Sequence, residues 1–110
     1  MLQKVNRLTT AEFEQYYKQA KRSHFDHLTI SYLPLPTFKV AVVVGKKVSK
    51  RAVKRNMVRR RIFALLAKIH FEQSLTGVFI VHVKPSYLTL PRTAANEFCR
   101  ESIAALRQKA

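Results

Sequence analysis

Apolar positions recur along this chain with two different periods, and the switches between them mark out six segments. Phe13, Tyr16, Tyr17 and Ala20 fall at i, i+3, i+4 and i+7, which predicts a helix from Thr9 or Thr10 to about Lys21. Thr9 or Thr10 can cap its start, and Glu12 or Glu14 suits the positive end of the helix dipole. From Leu28 to Leu33 apolar and polar residues alternate, which predicts a strand, ended by Pro34-Leu35-Pro36. Phe38 to Val44 is almost wholly apolar and β-branched, the pattern of a strand covered on both faces, and Gly45 ends it. A basic helix follows, starting between Ser49 and Ala52 and ending near Ile69 or His70, with Val58, Ile62, Leu65, Leu66 and Ile69 as its buried stripe. Val78 to Val83 reads as another strand, stopped at Lys84-Pro85. Pro91 leads into a last helix, about Arg92 to Gln108, whose stripe is Ala95, Phe98, Cys99, Ile103 and Leu106.

Strands packed by helices in this order make an α+β two-layer domain, with room for a short extra strand or hairpin before Phe38. The 110 residues read as one domain, 1–110, with no repeat, internal linker or low-complexity tract, and 47% of them are hydrophobic, enough to bury a core. The lone Cys99 rules out an intrachain disulfide and reads as a small core residue.

Charge changes the picture. Lys and Arg number 21 against 6 acids, a formal net charge of +15, which adds self-repulsion and no fold stability. Such an excess points to a polyanion. No apolar run approaches the ~18 residues that span a bilayer, and the opening Met1-Leu2-Gln3-Lys4-Val5-Asn6-Arg7-Leu8 has no apolar stretch of signal-peptide length and no cleavage site. The expectation is a cytoplasmic, nucleic-acid-binding protein with no membrane partner.

Nine of the sixteen residues from Lys46 to Arg61 are Lys or Arg, and no acid occurs between Asp26 and Glu72. A merely solvated helix face usually mixes signs to form i,i+4 pairs, whereas Arg51, Arg55 and Arg59 stack like charges at that spacing. Phosphates would neutralise them. Guanidinium forks bind phosphate oxygens bidentately, and Asn56 can donate to phosphate and accept from a ribose hydroxyl. Asn56 equally fits a local structural bond. The candidate RNA-binding set is Lys46, Lys47, Lys50, Arg51, Lys54, Arg55, Asn56, Arg59 and Arg60. Phe13, Tyr16 and Tyr17 are either core or a platform on which unpaired bases stack.

Catalytic chemistry is not in evidence in the sequence. The six acids are scattered, without the cluster a two-metal nuclease needs. His24, Asp26 and His27 are too few for a zinc site, His70 and His82 read as structural, and no phosphate loop or nucleophile elbow appears. No metal or cofactor is expected on the protein itself.

Val44-Gly45-Lys46-Lys47, followed nine residues later by Asn56 and a run of arginines, resembles the bacterial ribonuclease P protein component. Ala52 and Arg55-Asn56 with Arg59-Arg60 fall where that family has its helix start and Arg-Asn-Arg signature. Asn6-Arg7-Leu8 with Phe13 and Tyr17, Phe79-Ile80-Val81 with Lys84-Pro85, and the terminal helix extend the likeness over nearly the whole chain. It departs from the pattern at Met57, where the family usually has Arg, and at Phe63-Ala64-Leu65-Leu66, which lacks the usual Arg-Glu pair.

The resemblance implies a non-catalytic protein subunit of the ribonuclease P endonuclease. Its RNA partner, with Mg2+, hydrolyses the 5′ leader from precursor tRNA. The basic helix and loop would meet the catalytic RNA. Phe13 and Tyr17 would line a cleft for the leader, with Ser31 opposite by simple counting, or Tyr32 if one residue is gapped. It also implies a mainly antiparallel central sheet, α-β-β-(β)-α-β-α, with a left-handed crossover through the basic helix, as in the ribosomal protein S5 domain 2-like fold. General topology alone favours the right hand. The rival reading is a ribosomal or other structural RNA-binding protein. A major-groove DNA-binding helix is compatible with the charge, but DNA is not the expected partner.

Overall fold

A computed structural model describes residues 6–109. The first five positions, on which the signal-peptide reading partly rests, lie outside the described residues. The elements run α1 (Thr10–Gln19), β1 (Lys21–His24), β2 (Leu28–Leu33), β3 (Phe38–Val43), α2 (Ala52–Gln73), β4 (Gly77–Val83), a 3-10 turn (Pro85–Thr89) and α3 (Arg92–Lys109).

The four strands form one sheet in the order β1-β2-β4-β3, with β2 antiparallel to both neighbours and β3 parallel to β4. The parallel pair is joined through α2, so β3–α2–β4 is the crossover unit. Register pairs Leu28 with Val83, Ile30 with Val81 and Val40 with Phe79, which puts these side chains on one sheet face. All are buried there with the apolar stripes of α2 and α3. Each fully buried Leu, Ile or Phe contributes about 1.5–3 kcal/mol over exposure. Tyr87 of the 3-10 turn closes one end of this core, and burial pushes its phenol pKa up to about 12. Cys99 lies in the same core with its thiol raised to about 12 by burial.

The opposite sheet face carries α1. Helix α1 begins with a capping box, in which the Thr9 hydroxyl accepts from the Glu12 amide and the Glu12 carboxylate accepts from the Thr9 amide. None of its residues is fully buried, and its attachment is polar and aromatic. The Lys39 ammonium donates to Glu12 and, with the helix cap, holds that carboxyl below the usual range.

Three features differ from the pattern reading. β1 is the short extra strand for which the sequence left room before Phe38, but Lys21-Arg22-Ser23-His24 has no apolar alternation to mark its bounds, and the first helix, expected to reach about Lys21, stops at Gln19; β1 is a charged edge strand. β3 is the other edge rather than a strand covered on both faces: alternate residues are buried under α2 and the rest are half-buried. The doubly covered strand is β4, where Val78, Phe79, Ile80 and Val81 are all fully buried. The basic helix also runs one turn further than expected, to Gln73, and ends on Ser74 in the left-handed region at φ 52°.

Candidate RNA interface

The basic stretch from Lys46 to Arg61 divides into a loop and a helix. Lys46 and Lys47 stand exposed in the turn after β3, and Lys50 and Arg51 lead into α2, with Arg51 at its N-cap. Val58 and Ile62 anchor the helix to the core, which turns Asn56 and Arg60 outward. The three arginines at i,i+4 spacing do not share one environment. Arg51 is exposed, whereas Arg55 is half-buried and donates to the Ser49 carbonyl at 3.0 Å, pinning the loop. Arg59 is half-buried and donates to the Asn56 side chain. Asn56 therefore makes a local bond and is exposed to a partner, so its two readings are compatible.

Asn56, Arg59 and Arg60 line an open groove on one flank of α2 together with Arg7, Phe63 and Ala64. The Arg7 guanidinium lies over the Phe63 ring, 5.3 Å from its centroid. Arg7 reaches the groove because residues 6–8 run along β3: Leu8 donates to the Val40 carbonyl at 3.1 Å and Asn6 to the Phe38 carbonyl at 2.9 Å. Arg7 was not among the candidate residues, and no local pattern marks it. Lys54 faces the other flank of α2, toward Arg61, Tyr87 and Arg92. Met57, the departure from the family signature, also turns to that flank.

On the far sheet face, Phe13 and Tyr17 stack with centroids 5.4 Å apart. Both are half-buried, so each ring keeps an accessible surface. Tyr17 lies 5.5 Å from the His82 ring, and its hydroxyl accepts from Arg22, whose guanidinium sits 5.1 Å over its ring. Ser31 pairs in register with Arg22 on one side and Ile80 on the other, which puts it on this face, 1% exposed. Tyr32 is on the opposite face by strand alternation. Its ring packs 4.9 Å from Phe79, and its hydroxyl donates to the Thr76 carbonyl at 3.3 Å. Of the two candidates facing Phe13 and Tyr17 from β2, the structure therefore places Ser31 on their side of the sheet and removes Tyr32 from it.

His82, which reads as structural in the sequence and was not among the candidate residues, borders Tyr17 on this face. It is half-buried beneath Tyr17, its Nδ1 is buried without a hydrogen-bond partner, and burial, then the charge of Arg22, hold its pKa below 6.5. Its alternation with Val81 and Val83 in β4 was the available signal. His24 and His27 turn to separate partners, Thr29 at 3.3 Å and Ser86 at 2.8 Å. Among the described residues no three His, Cys, Asp or Glu side chains gather to hold a metal ion. No helix among them is long and apolar enough to cross a membrane.

Fold and surface together define a class: a basic α+β domain on a mixed four-stranded sheet, with its cations gathered on the helix of a parallel crossover. The chain belongs to the ribonuclease P protein family, whose pattern, described as Ribonuclease P, matches residues 2–109. It is 43% identical over 53 residues to the ribonuclease P protein component of Picosynechococcus sp., a match covering 46% of each chain. It is 31% identical over 90 residues to that of Synechococcus sp., covering 76% of this chain and 60% of the relative. The matches to the first of these relatives span less than two thirds of those proteins' length. In structure it resembles a mutant RNase P protein from Staphylococcus aureus, with a TM-score of 0.82 at 20% identity over 94% of this chain and 90% of the other.

Proposed function

We propose that this chain is the protein subunit of a ribonuclease P holoenzyme, acting in the cytoplasm on the 5′ leader of precursor tRNA. The observation that carries the reading is the groove where Asn56, Arg59 and Arg60 meet Arg7 on α2, a guanidinium-rich surface without an acid in its lining. Phosphates of the catalytic RNA would bind there and on the loop cations Lys46, Lys47, Lys50 and Arg51. Arg55 would act by holding that loop in place. On the other face, Phe13 and Tyr17 offer accessible ring surface for stacking unpaired leader bases, worth about 1–3 kcal/mol per base. In this reading His82, beside Tyr17, and the buried Ser31 on the same sheet face would underlie those rings. The Mg2+ and the hydrolysis belong to the RNA partner in this reading, and the protein contributes binding and position.

Reconstitution tests it. The chain is mixed with a bacterial ribonuclease P RNA at low Mg2+, and 5′ maturation of precursor tRNA is measured. Restored cleavage is expected, and Phe13→Ala should weaken precursor binding roughly tenfold while leaving mature tRNA binding near normal. Absence of any rescue would favour the ribosomal or structural RNA-binding alternative. Equal weakening for both tRNAs would show that Phe13 is only core.

A further inference from the structure

We propose that the seam between α2 and α3 is a second phosphate-binding track for structured RNA, separate from the groove at Asn56 and resting on the reading that the partner is RNA. On α2, Lys54, Arg61 and Lys68 recur every seven residues, which sets them in one line about 10 Å apart. From α3, Arg92, Asn96 and Arg100 recur every four residues and share one face. Two adjoining cavities, about 180 and 400 Å³, run along this seam, and Arg61, Arg92 and Asn96 line both. Neither lining contains an aspartate or glutamate.

The other end of the same seam supplies an internal control. There Arg100 donates to the Glu72 carboxylate at 3.0 Å and Arg107 to the Gln73 amide, so acid and amide on α2 close the helices together. Toward Arg92 the chain instead sets cations opposite cations. The acids of α3, Glu97 and Glu101, are exposed and line neither cavity. Like charges facing each other raise the energy of the folded chain unless an anion enters.

The composition of the seam selects the anion. Most of its cations are arginines, whose planar forks match phosphate oxygens, and Asn96 can bond phosphate or a ribose hydroxyl. The wider cavity offers only Ala64 and Leu65 as apolar lining, too little to seat the buried anchors of a protein partner, and the apolar lining of the narrower one, chiefly Val58, Tyr87, Ala95, Leu88 and Leu90, is engaged in the core. Arg60 and Ala64 border both this cavity and the Asn56 groove. α2 is therefore a narrow ridge with a cationic trough on each flank, which fits two backbone rows of a folded RNA better than one isolated strand.

The test measures binding of the full chain to a bacterial ribonuclease P RNA as a function of salt. The Arg61→Ala/Lys68→Ala/Arg92→Ala variant alters exposed side chains alone. It should bind at least about tenfold more weakly, with a log K against log salt slope shallower by roughly two to three, at ~0.9 per lost phosphate contact. A charge-keeping variant, Arg61→Lys/Lys68→Arg/Arg92→Lys, should restore most of that slope. If the alanine variant binds like the parent while Asn56→Ala/Arg59→Ala binds weakly, the seam is idle and the subunit reading stands. If both bind like the parent, the RNA reading itself fails. Failure of the charge-keeping variant to recover, or competition by poly-glutamate as effective as by RNA of equal charge, would also overturn the track.

Discussion

Gly77 opens β4 at φ +102°, a conformation that L-residues rarely adopt. A Cβ there would meet the Tyr32 ring at 2.7 Å and the Leu33 carbonyl oxygen at 3.0 Å. Gly77→Ala should therefore cost about 1–3 kcal/mol, seen as a lower Tm in thermal melts. The same packing explains why Tyr32 does not face Phe13 and Tyr17: its ring closes the core over Gly77 and Phe79. Counting along the strand pointed to Ser31, and strand alternation separates the pair once one neighbour's face is known. His82 gives a second consequence at this scale. Its folded pKa lies below the ordinary 6.5, so the unfolded chain takes up the proton first. Stability from this residue is full above about pH 6.5 and declines as pH falls toward the folded pKa. Denaturant unfolding between pH 8 and 5 should show that decline, and His82→Gln should flatten it.

Among the helices, α1 is held least by burial. Its start depends on the reciprocal bonds of Thr9 and Glu12, and its sides on Lys39, Arg22 and two half-buried rings. Thr9→Ala should remove about 1 kcal/mol of helix stability. Hydrogen exchange should then quicken in α1 well before it quickens in β4, and, on the proposed function, precursor tRNA binding should weaken with it. The cap was legible in the sequence only as Thr9 or Thr10 with Glu12 or Glu14, whereas the stripes of α2 and α3 were legible because they rest on helical periodicity. The bounds of β1 were not, since an edge strand of Lys, Arg, Ser and His carries no apolar alternation. β3 looked central because Phe38 to Val43 is so apolar; its true place at the border depends on which strand β4 pairs with, and no local pattern encodes that.

Across the whole molecule, the charge of +15 is arranged rather than spread. The core fixes one side of α2, and the cations of the loop, the Asn56 groove and the α3 seam surround its free side. The motif residues could be read from sequence because they are contiguous. Arg7 and Arg92 could not, since they come to α2 from opposite ends of the chain through sheet pairing and helix packing.

The short run from Asn6 to Leu8 has an effect beyond delivering Arg7. A parallel border strand such as β3 presents a row of unpaired amides and carbonyls, to which a strand from another molecule can add. Here the chain's own opening residues occupy part of that row at Phe38 and Val40. The opposite border is guarded by the charges of Lys21 and Arg22. With one margin overlaid and the other charged, sheet-to-sheet polymerisation is disfavoured even when no RNA is present to screen the protein from its own copies.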